Sequence, residues 1–295
     1  MKPQVFAYHD PSSVEEALEL LARHGPGAKV LAGGQSLLPL LNLRLARPEV
    51  LVDINRIDSL DYLAEESGWL RVGARVRQRW VERDPAVRRA VPLLAEAVRY
   101  VGHVQIRNRG TVCGSLAHAD PAAELPAVAV AVGARMVARS RAGAREIPAE
   151  EFFTGPLSTA LSPDELLVEA RFPCSPPGWG WAFVEVSNRH GDYALCAVAA
   201  GVCVADGRVR DARLAYAGAG PVPVRLPQAE TALREGWPLE DALRAACSEA
   251  RRLLEPEADI HASADFRRHL AGVLTERVVR LAYRRAVDGA GGARA

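Results

Sequence analysis

A chain of 295 residues has room for about two domains. Its 37 basic and 36 acidic residues leave a formal charge of +1, which indicates no polyanionic partner. The basic clusters at residues 75–83, 107–109 and 277–285 are interpreted as solvated surface rather than nucleic-acid contacts. No apolar run reaches the roughly 20 residues of a membrane helix, and no secretory signal opens the chain, so a cytoplasmic protein is expected.

In the first part of the chain, strand and helix patterns alternate. Ser12, followed three residues later by Glu15, predicts a capping box at the start of a helix. A short buried strand at residues 28–32, a helix at 37–45 and a strand at 50–54 follow. This alternation predicts a compact α/β unit.

A second and larger α/β pattern extends to the proline-rich segment near residue 176. Its predicted elements are a strand at residues 70–74, helices at 78–84, 92–101 and 124–132, and strand-like segments up to residue 173. Residues 174–178 (Cys-Ser-Pro-Pro-Gly) form the clearest boundary, because consecutive prolines and a glycine interrupt both helices and sheets.

Beyond this boundary the pattern changes from strands to helices. Strands are predicted at residues 181–186, 195–204 and 209–216, and Asp206-Gly207 favours a hairpin turn between the last two. Helices are predicted at residues 227–234, 239–254 and 263–287, followed by a disordered tail at 289–295.

Two short glycine loops are the strongest candidates for binding chemistry. Residues 32–36 (Ala-Gly-Gly-Gln-Ser) and 111–115 (Thr-Val-Cys-Gly-Ser) each place a glycine near a hydroxyl residue, next to apolar sequence. Glycine lets backbone N–H groups approach a phosphate without an intervening Cβ atom. Two ordinary turns are the alternative interpretation. The similarity of the two loops favours a shared diphosphate site.

Motifs of competing functions are missing from the sequence. There is no G-x-G-x-x-G pattern of a Rossmann site and no P-loop of an NTP-binding protein. Residues 34–38 fail the nucleophile-elbow pattern at its last position. The five scattered cysteines include no C-x-x-C pair, so no zinc or iron–sulfur ligands are expected, and any further redox centres would lie on other chains.

Several polar residues near the loops have two interpretations each. His118 and Asp120 lack a third metal ligand nearby, which favours a structural or cofactor-adjacent role over a metal site. Asp120 and Glu124 could accept hydrogen bonds from ribose hydroxyls, or could be acidic residues favoured by a helix N-terminus. Asp192 and Tyr193 form either a polar turn or a flavin contact.

Two long motifs identify a family resemblance. Residues 32–37 (AGGQSL), together with residues 106–124 (IRNRGTVCGSLAHADPAAE), resemble the FAD-binding medium subunit of molybdenum hydroxylases. This group includes the flavoprotein of carbon monoxide dehydrogenase and the flavin domain of xanthine dehydrogenase. Residues 189–194 (RHGDYA) resemble the C-terminal domain of the same family, so the resemblance spans nearly the whole chain.

This resemblance implies an α+β fold. Residues 1–176 would form a vanillyl-alcohol-oxidase-type FAD-binding domain of the PCMH class, with α/β subdomains at about 1–58 and 59–176. Residues 177–288 would form a carbon monoxide dehydrogenase flavoprotein-like domain with a three-stranded antiparallel sheet and helices.

The resemblance also implies a set of cofactor-binding residues. It implies no catalytic residue and no metal ligand on this chain. The two loops would hold the diphosphate of FAD, Glu124 would contact the ribose, and Val101, Ile106 and Leu161 would lie near the flavin. The implied cofactor-binding residues are Leu31, Ala32, Gly33, Gly34, Gln35, Ser36, Leu37, Val101, Ile106, Thr111, Gly114, Ser115, Asp120, Glu124, Leu161, Asp192 and Tyr193.

Three functions remain under consideration. The resemblance favours an electron-transferring flavin subunit that assembles with a small iron–sulfur subunit and a large molybdenum-cofactor subunit as a dimer of heterotrimers. A free-standing FAD-dependent oxidase or dehydrogenase is the second hypothesis, although no convincing acid, base or arginine clamp is visible. A module that has lost its cofactor is the third, and Cys113 is the only residue in its favour.

Cys113 is the one departure from the family pattern, which usually has two glycines in the second loop. A cysteine with positive φ would be strained by roughly 1–2 kcal/mol. With negative φ the substitution would be harmless.

Overall fold

The first sheet is small and parallel. The computed structural model describes residues 2–236 and 238–292. Its first three strands pair in the order β1-β3-β2, with both pairings parallel. The elements of this unit are β1 (Ala7–His9), α1 (Val14–His24), β2 (Ala28–Leu31), α2 (Leu37–Asn42) and β3 (Val50–Asp53).

The cap of α1 differs from the predicted one by one position. Ser13 rather than Ser12 is the N-cap, and its hydroxyl accepts a hydrogen bond from the Glu16 amide at 3.1 Å. The Glu16 carboxylate in turn accepts a hydrogen bond from the Ser12 amide at 2.9 Å. Both Ser12 and Ser13 have a glutamate three residues later, so the sequence pattern alone did not distinguish the two frames.

The second sheet has five antiparallel strands, and its central strand comes from far along the chain. Its order is β4-β5-β10-β6-β7, so β10 pairs with β5 and β6 in its centre. Helices between β5 and β6 cover it and carry the second glycine loop. The elements are β4 (Leu63–Glu66), β5 (Trp69–Gly73), α3 (Gln78–Arg83), α4 (Pro85–Ala90), α5 (Pro92–Ala97), α6 (Val104–Arg109), α7 (Val112–His118), α8 (Glu124–Val132), β6 (Arg135–Ser140), β7 (Gly143–Pro148), α9 (Ala149–Phe152), β8 (Phe153–Gly155), β9 (Ser158–Thr159) and β10 (Leu166–Pro173).

The C-terminal sheet has four antiparallel strands rather than the predicted three. The additional strand contains only two residues, which pair with Ala215 and Tyr216, and it is too short to give a recognisable sequence pattern. The elements are β11 (Trp179–Ser187), β12 (Ala194–Ala205), β13 (Arg208–Ala217), β14 (Val224–Arg225), α10 (Pro227–Glu235), α11 (Leu239–Leu253) and α12 (Ala264–Gly292).

The C-terminal sheet is buried on both faces, which explains why β12 is an almost unbroken run of small apolar residues. One face packs against the helices of the first part of the chain, and the other packs against α10, α11 and α12. At Gly180 a Cβ atom would lie 2.0 Å from the Ala282 carbonyl oxygen, so α12 approaches the sheet backbone closely. Buried Tyr216 and Thr275 share a 2.8 Å hydrogen bond across this layer.

Helix α12 extends to Gly292 and therefore includes residues 289–292 of the predicted tail, while residues 293–295 lie outside the described residues. The predicted hairpin turn is present, since Asp206 and Gly207 both have positive φ (53° and 71°). In the described part of the chain, no helix combines the length and apolarity needed to cross a membrane.

Candidate FAD-binding site

The first glycine loop leaves β2 and leads into α2. Gly34 has a φ of +73°, which L side chains rarely adopt. At Gly33 a Cβ atom would lie 2.6 Å from the Arg109 carbonyl oxygen and 2.8 Å from the Gly110 Cα atom. A side chain is therefore excluded at both positions. The first loop packs directly against the segment that precedes the second loop.

The second loop is the start of a helix rather than a second tight turn. Thr111 is the N-cap of α7, and its hydroxyl oxygen accepts a hydrogen bond from the Gly114 amide at 3.0 Å. A Cβ atom at Gly114 would lie 2.5 Å from that oxygen, so glycine makes room for the cap. The Val112 amide already donates to the Val76 carbonyl, which leaves fewer free N–H groups here than the sequence suggested.

Cys113 lies within α7 without positive φ, so the strain considered from the sequence is not present. Its side chain is 2% exposed, and its thiol donates a hydrogen bond to the Val72 carbonyl oxygen at 3.5 Å. Burial raises the pKa of this thiol far above its usual range. The cysteine is a buried residue that packs against β5 through its contact with Val72.

Asn55 and Arg77 connect the two loops, a role that the sequence analysis did not find. The Asn55 side-chain amide donates to the Ala32 carbonyl at 2.8 Å, and its oxygen accepts from Arg77 at 2.5 Å. Arg77 also donates to the Arg109 carbonyl at 2.5 Å. The interpretation of residues 75–83 as solvated surface is therefore wrong for Arg77, whose burial lowers its pKa and whose positive charge lies between the loops.

Both loops open into one cleft of about 840 Å³, within the usual range for a cofactor or ligand pocket. Leu161 also lines this cleft. The predicted residues that line this cleft are Ala32, Gly33, Gly34, Gln35, Ser36, Leu37, Thr111, Gly114, Ser115 and Leu161. The predicted residues that do not line it are Leu31, Val101, Ile106, Asp120, Glu124, Asp192 and Tyr193.

Gln78 is a further cleft residue that the sequence analysis missed. It is 4% exposed, and its side-chain oxygen has no hydrogen-bond partner among the described residues. Its amide nitrogen donates to the Thr111 carbonyl at 3.4 Å, and its backbone amide donates to the Gly110 carbonyl at 2.9 Å. Position 78 is the first residue of a predicted helix, and nothing in the sequence pattern distinguished it.

A second group of predicted residues lies at the junction with the C-terminal sheet. Val101 precedes Gly102, whose φ is +49°, and a Cβ atom at Gly191 would lie 3.0 Å from Gly102 and from the His103 ring. Arg107 fixes this turn by donating to the Val101 and Gly102 carbonyls at 3.1 and 2.9 Å. Gly191 therefore lies against the segment that carries Val101 and Ile106.

Tyr193 connects this group with the first loop. Tyr193 is 57% exposed, and its pKa is raised by burial and lowered in part by a side-chain hydrogen bond with Ser36. Ser36 is free for this contact because it makes no side-chain cap on α2. The junction and the cleft are thus neighbouring parts of one region.

Asp120 and Glu124 differ in their surroundings. Asp120 accepts a hydrogen bond from the Ala122 amide at 2.9 Å, as in an Asx turn. Glu124 is the first residue of α8 and only 4% exposed. Burial raises its pKa to about 8, and burial also raises the pKa of Glu185 to about 7. At neutral pH Glu124 is therefore mostly protonated and can donate one hydrogen bond.

Comparison with known families identifies the chain. Residues 4–175 match the model of the FAD-binding domain in molybdopterin dehydrogenases, and residues 181–282 match the C-terminal domain of the carbon monoxide dehydrogenase flavoprotein. The chain belongs to this flavoprotein family. Its cofactor is FAD, and members of this family are subunits of FAD-dependent oxidoreductases. The fold and family expected from the sequence are confirmed.

Relatives of this flavoprotein match along almost their full length. The caffeine dehydrogenase subunit beta of Pseudomonas sp. (strain CBB1) is 42% identical over 289 residues, which cover 97% of this chain and 98% of the relative. The carbon monoxide dehydrogenase medium chain of Hydrogenophaga pseudoflava is 37% identical over 285 residues and covers 97% and 99%.

Two solved structures share the fold of the flavoprotein at 38–39% identity. Carbon monoxide dehydrogenase from Hydrogenophaga pseudoflava superposes with a TM-score of 0.94 and 38% identity, covering 97% of this chain and 99% of that chain. Quinoline 2-oxidoreductase from Pseudomonas putida 86 superposes with a TM-score of 0.92 and 39% identity, with the same coverage.

The residues present in the cleft fit a dinucleotide cofactor. Gly33 and Gly34 leave a cradle without Cβ atoms, and Arg77 supplies a positive charge between the loops. These are the donors and the space that a diphosphate requires.

Proposed function

We propose that this flavoprotein is the electron-transfer subunit of a three-subunit molybdenum hydroxylase, which receives electrons from iron–sulfur clusters on a partner chain and passes them to an external acceptor. The proposal rests on the two glycine loops, which are held together by the close contact at Gly33 and open into a cleft large enough for a dinucleotide. It is supported by relatives that are medium or FAD-binding chains of multi-subunit dehydrogenases.

Within this proposal the cleft residues hold the cofactor by three kinds of contact. Gly33–Ser36 offer backbone N–H groups to the diphosphate, and Thr111, Gly114 and Ser115 hold its other side. Leu161 forms an apolar wall. When bound, FAD supplies two-electron and one-electron redox chemistry, while the protein supplies position and electrostatics.

The junction residues are proposed to act on the remaining parts of FAD. Val101, Ile106, Asp192 and Tyr193 would surround the ring system, since Gly191, next to Asp192, lies against the turn after Val101. Glu124 would donate from its protonated carboxyl to a ribose hydroxyl, and Asp120 would accept from another. Leu31 would act only indirectly, by supporting the first loop from the end of β2.

The proposed assembly contains a small iron–sulfur subunit and a large molybdenum-cofactor subunit, arranged as a dimer of heterotrimers in the cytoplasm. Residues 1–176 would form the FAD-binding domain and residues 177–288 the C-terminal domain, with the linker near residues 174–178 between them.

Affinity purification of this chain from its native host tests the proposal. We expect two partner chains, a flavin spectrum, and iron and molybdenum in the same fraction, with a mass by analytical ultracentrifugation that matches two heterotrimers. A chain that purifies alone, carries FAD and oxidises an organic substrate would instead support a free-standing oxidase or dehydrogenase. Partner chains without any bound FAD would contradict the proposed electron-transfer role.

A further inference from the structure

A second cavity lies at the junction of the two parts of the chain, away from the glycine loops. Its volume is about 180 Å³, and its walls come from the start of α5, the end of α8, the linker after β10, and strands β11 and β13. An apolar cavity of about 150 Å³ is large enough to hold benzene. The space therefore accommodates one six-membered ring.

Two tryptophans form the floor of this cavity. Trp179 and Trp181 lie on the same face of β11, with ring centroids 5.1 Å apart and planes 14° from parallel. Gly201 pairs with Trp181 on the neighbouring strand, and a Cβ atom there would lie 2.3 Å from the indole ring. The Trp181 indole N–H donates to the Ser175 hydroxyl at 2.7 Å, which fixes the ring. The floor is thus a rigid stack of two indoles, and a ligand ring can lie against the outer side of this stack.

One positive charge borders this aromatic floor. Arg213 lines the cavity and pairs with Gly201 across β12 and β13, so it lies on the same face of the sheet as Trp181. Within residues 2–236 and 238–292, its guanidinium has no hydrogen-bond or ion-pair partner. Among the residues that the structure describes, no aspartate or glutamate lines the cavity. An arginine beside an apolar pocket complements a carboxylate carried by an apolar group.

We propose that this cavity binds a planar, single-ring carboxylate, with its ring against the Trp179–Trp181 stack and its carboxylate on Arg213. The ring gains stacking and burial of apolar surface on the indoles. The carboxylate receives the charge-assisted hydrogen bonds that Arg213 does not make within the protein. Such a ligand contacts both parts of the chain, so its binding stabilises their junction.

Calorimetric titration of the full chain with benzoate tests this site. We expect saturable binding at one site per chain and a rise in the thermal midpoint, because a ligand that binds only the folded state stabilises it. Benzamide has the same ring and shape without the charge, and it should bind about tenfold more weakly or worse, because a hydrogen bond to a charged group contributes more than a neutral one. Equal binding of the two compounds, or no binding of benzoate, would overturn the proposal.

Substitutions in the cavity test where benzoate binds. Arg213→Met should lower benzoate affinity at least about tenfold, whereas Arg210→Met, on the exposed end of the same strand, should leave it unchanged. Trp179→Leu should weaken benzoate and benzamide alike, because it removes the aromatic floor but leaves the charge. Benzoate affinity that is unchanged in Arg213→Met would place the carboxylate elsewhere and refute the assignment.

Discussion

In the first glycine loop the backbone excludes side chains at two consecutive positions, whereas in the second loop a side chain supplies the main contact. Gly33 presses on the Arg109 carbonyl and Gly34 has positive φ. In the second loop Gly114 is helical, and the Thr111 hydroxyl holds its amide. Similar sequences, with a small residue, a glycine and a nearby serine in both loops, are therefore produced by different physical requirements.

This difference predicts how each loop tolerates substitution. A clash with backbone can be relieved only by moving a chain segment, whereas a clash with a side chain can be relieved by a change of rotamer. Substitutions in the first loop should therefore either be tolerated or abolish the loop structure, whereas substitutions in the second loop should weaken it by degrees. Asn55 and Arg77 strengthen this contrast, because they fix the Ala32 and Arg109 carbonyls on both sides of the first contact.

The largest effect on cofactor binding is expected for Gly33→Ala. Its Cβ atom would lie 2.6 Å from the Arg109 carbonyl oxygen, so the two segments must separate. Overpacking of this kind costs about 1–3 kcal/mol, and the same cost in the FAD-binding conformation corresponds to a loss of FAD affinity of about fivefold to about 150-fold. Flavin content per chain after purification, followed by FAD titration, measures the effect.

Gly155→Ala is the matched control for this substitution. The nearest atom to its Cβ position is the Ser158 Cβ at 3.9 Å, an ordinary contact, and its φ is not positive. This variant should keep normal flavin content. If Gly33→Ala also kept it, the direct contact between the two loops would not matter for cofactor binding.

The next effect concerns Glu124, which begins α8 just after the second loop. Its pKa is about 8 in the folded chain, because of burial, and about 4.3 in an unfolded one. Between these values the folded chain keeps a proton that the unfolded chain releases. The free energy of unfolding therefore falls as pH rises, by up to about 1.4 kcal/mol per pH unit from this group.

Glu124→Gln should remove this contribution and flatten the pH dependence. Urea unfolding between about pH 5 and about pH 8 measures it, with exposed Glu257→Gln as a control that should follow the unmodified chain. Glu185 titrates nearby and should leave a smaller remaining slope. An unaltered slope in Glu124→Gln would mean that Glu124 is ionised at neutral pH, as expected for a simple acidic residue at a helix N-terminus.

The same contrast explains which parts of the site the sequence predicted. The first loop follows from local rules, since adjacent glycines after a buried strand indicate backbone that no other residue adopts. Helix α8 and the turn at Asp206-Gly207 also follow from local patterns. These features depend on residues that are close together in the chain.

Features that depend on distant residues were not predictable in this way. Arg77 contacts Asn55 and Arg109, which are 22 and 32 residues away, and neither pairing leaves a periodic pattern. The two-residue strand β14 is defined only by its partner β13. Cys113 is unstrained because the second loop is the start of a helix. The similarity of the two loop sequences did not indicate this helix.

The smallest effect is expected for Thr111→Val, which removes the N-cap of α7 while keeping the side-chain shape. Loss of such a cap costs about 1 kcal/mol, up to about 2. Urea unfolding should show a destabilisation of this size, and FAD affinity should fall only a few-fold, because the backbone of the loop remains intact. Thr111→Ser keeps the hydroxyl that accepts the Gly114 amide and should restore both quantities. A complete loss of flavin in Thr111→Val, with Thr111→Ser normal, would show that the hydroxyl contacts the cofactor itself, and the two loops would then differ less than their geometry indicates.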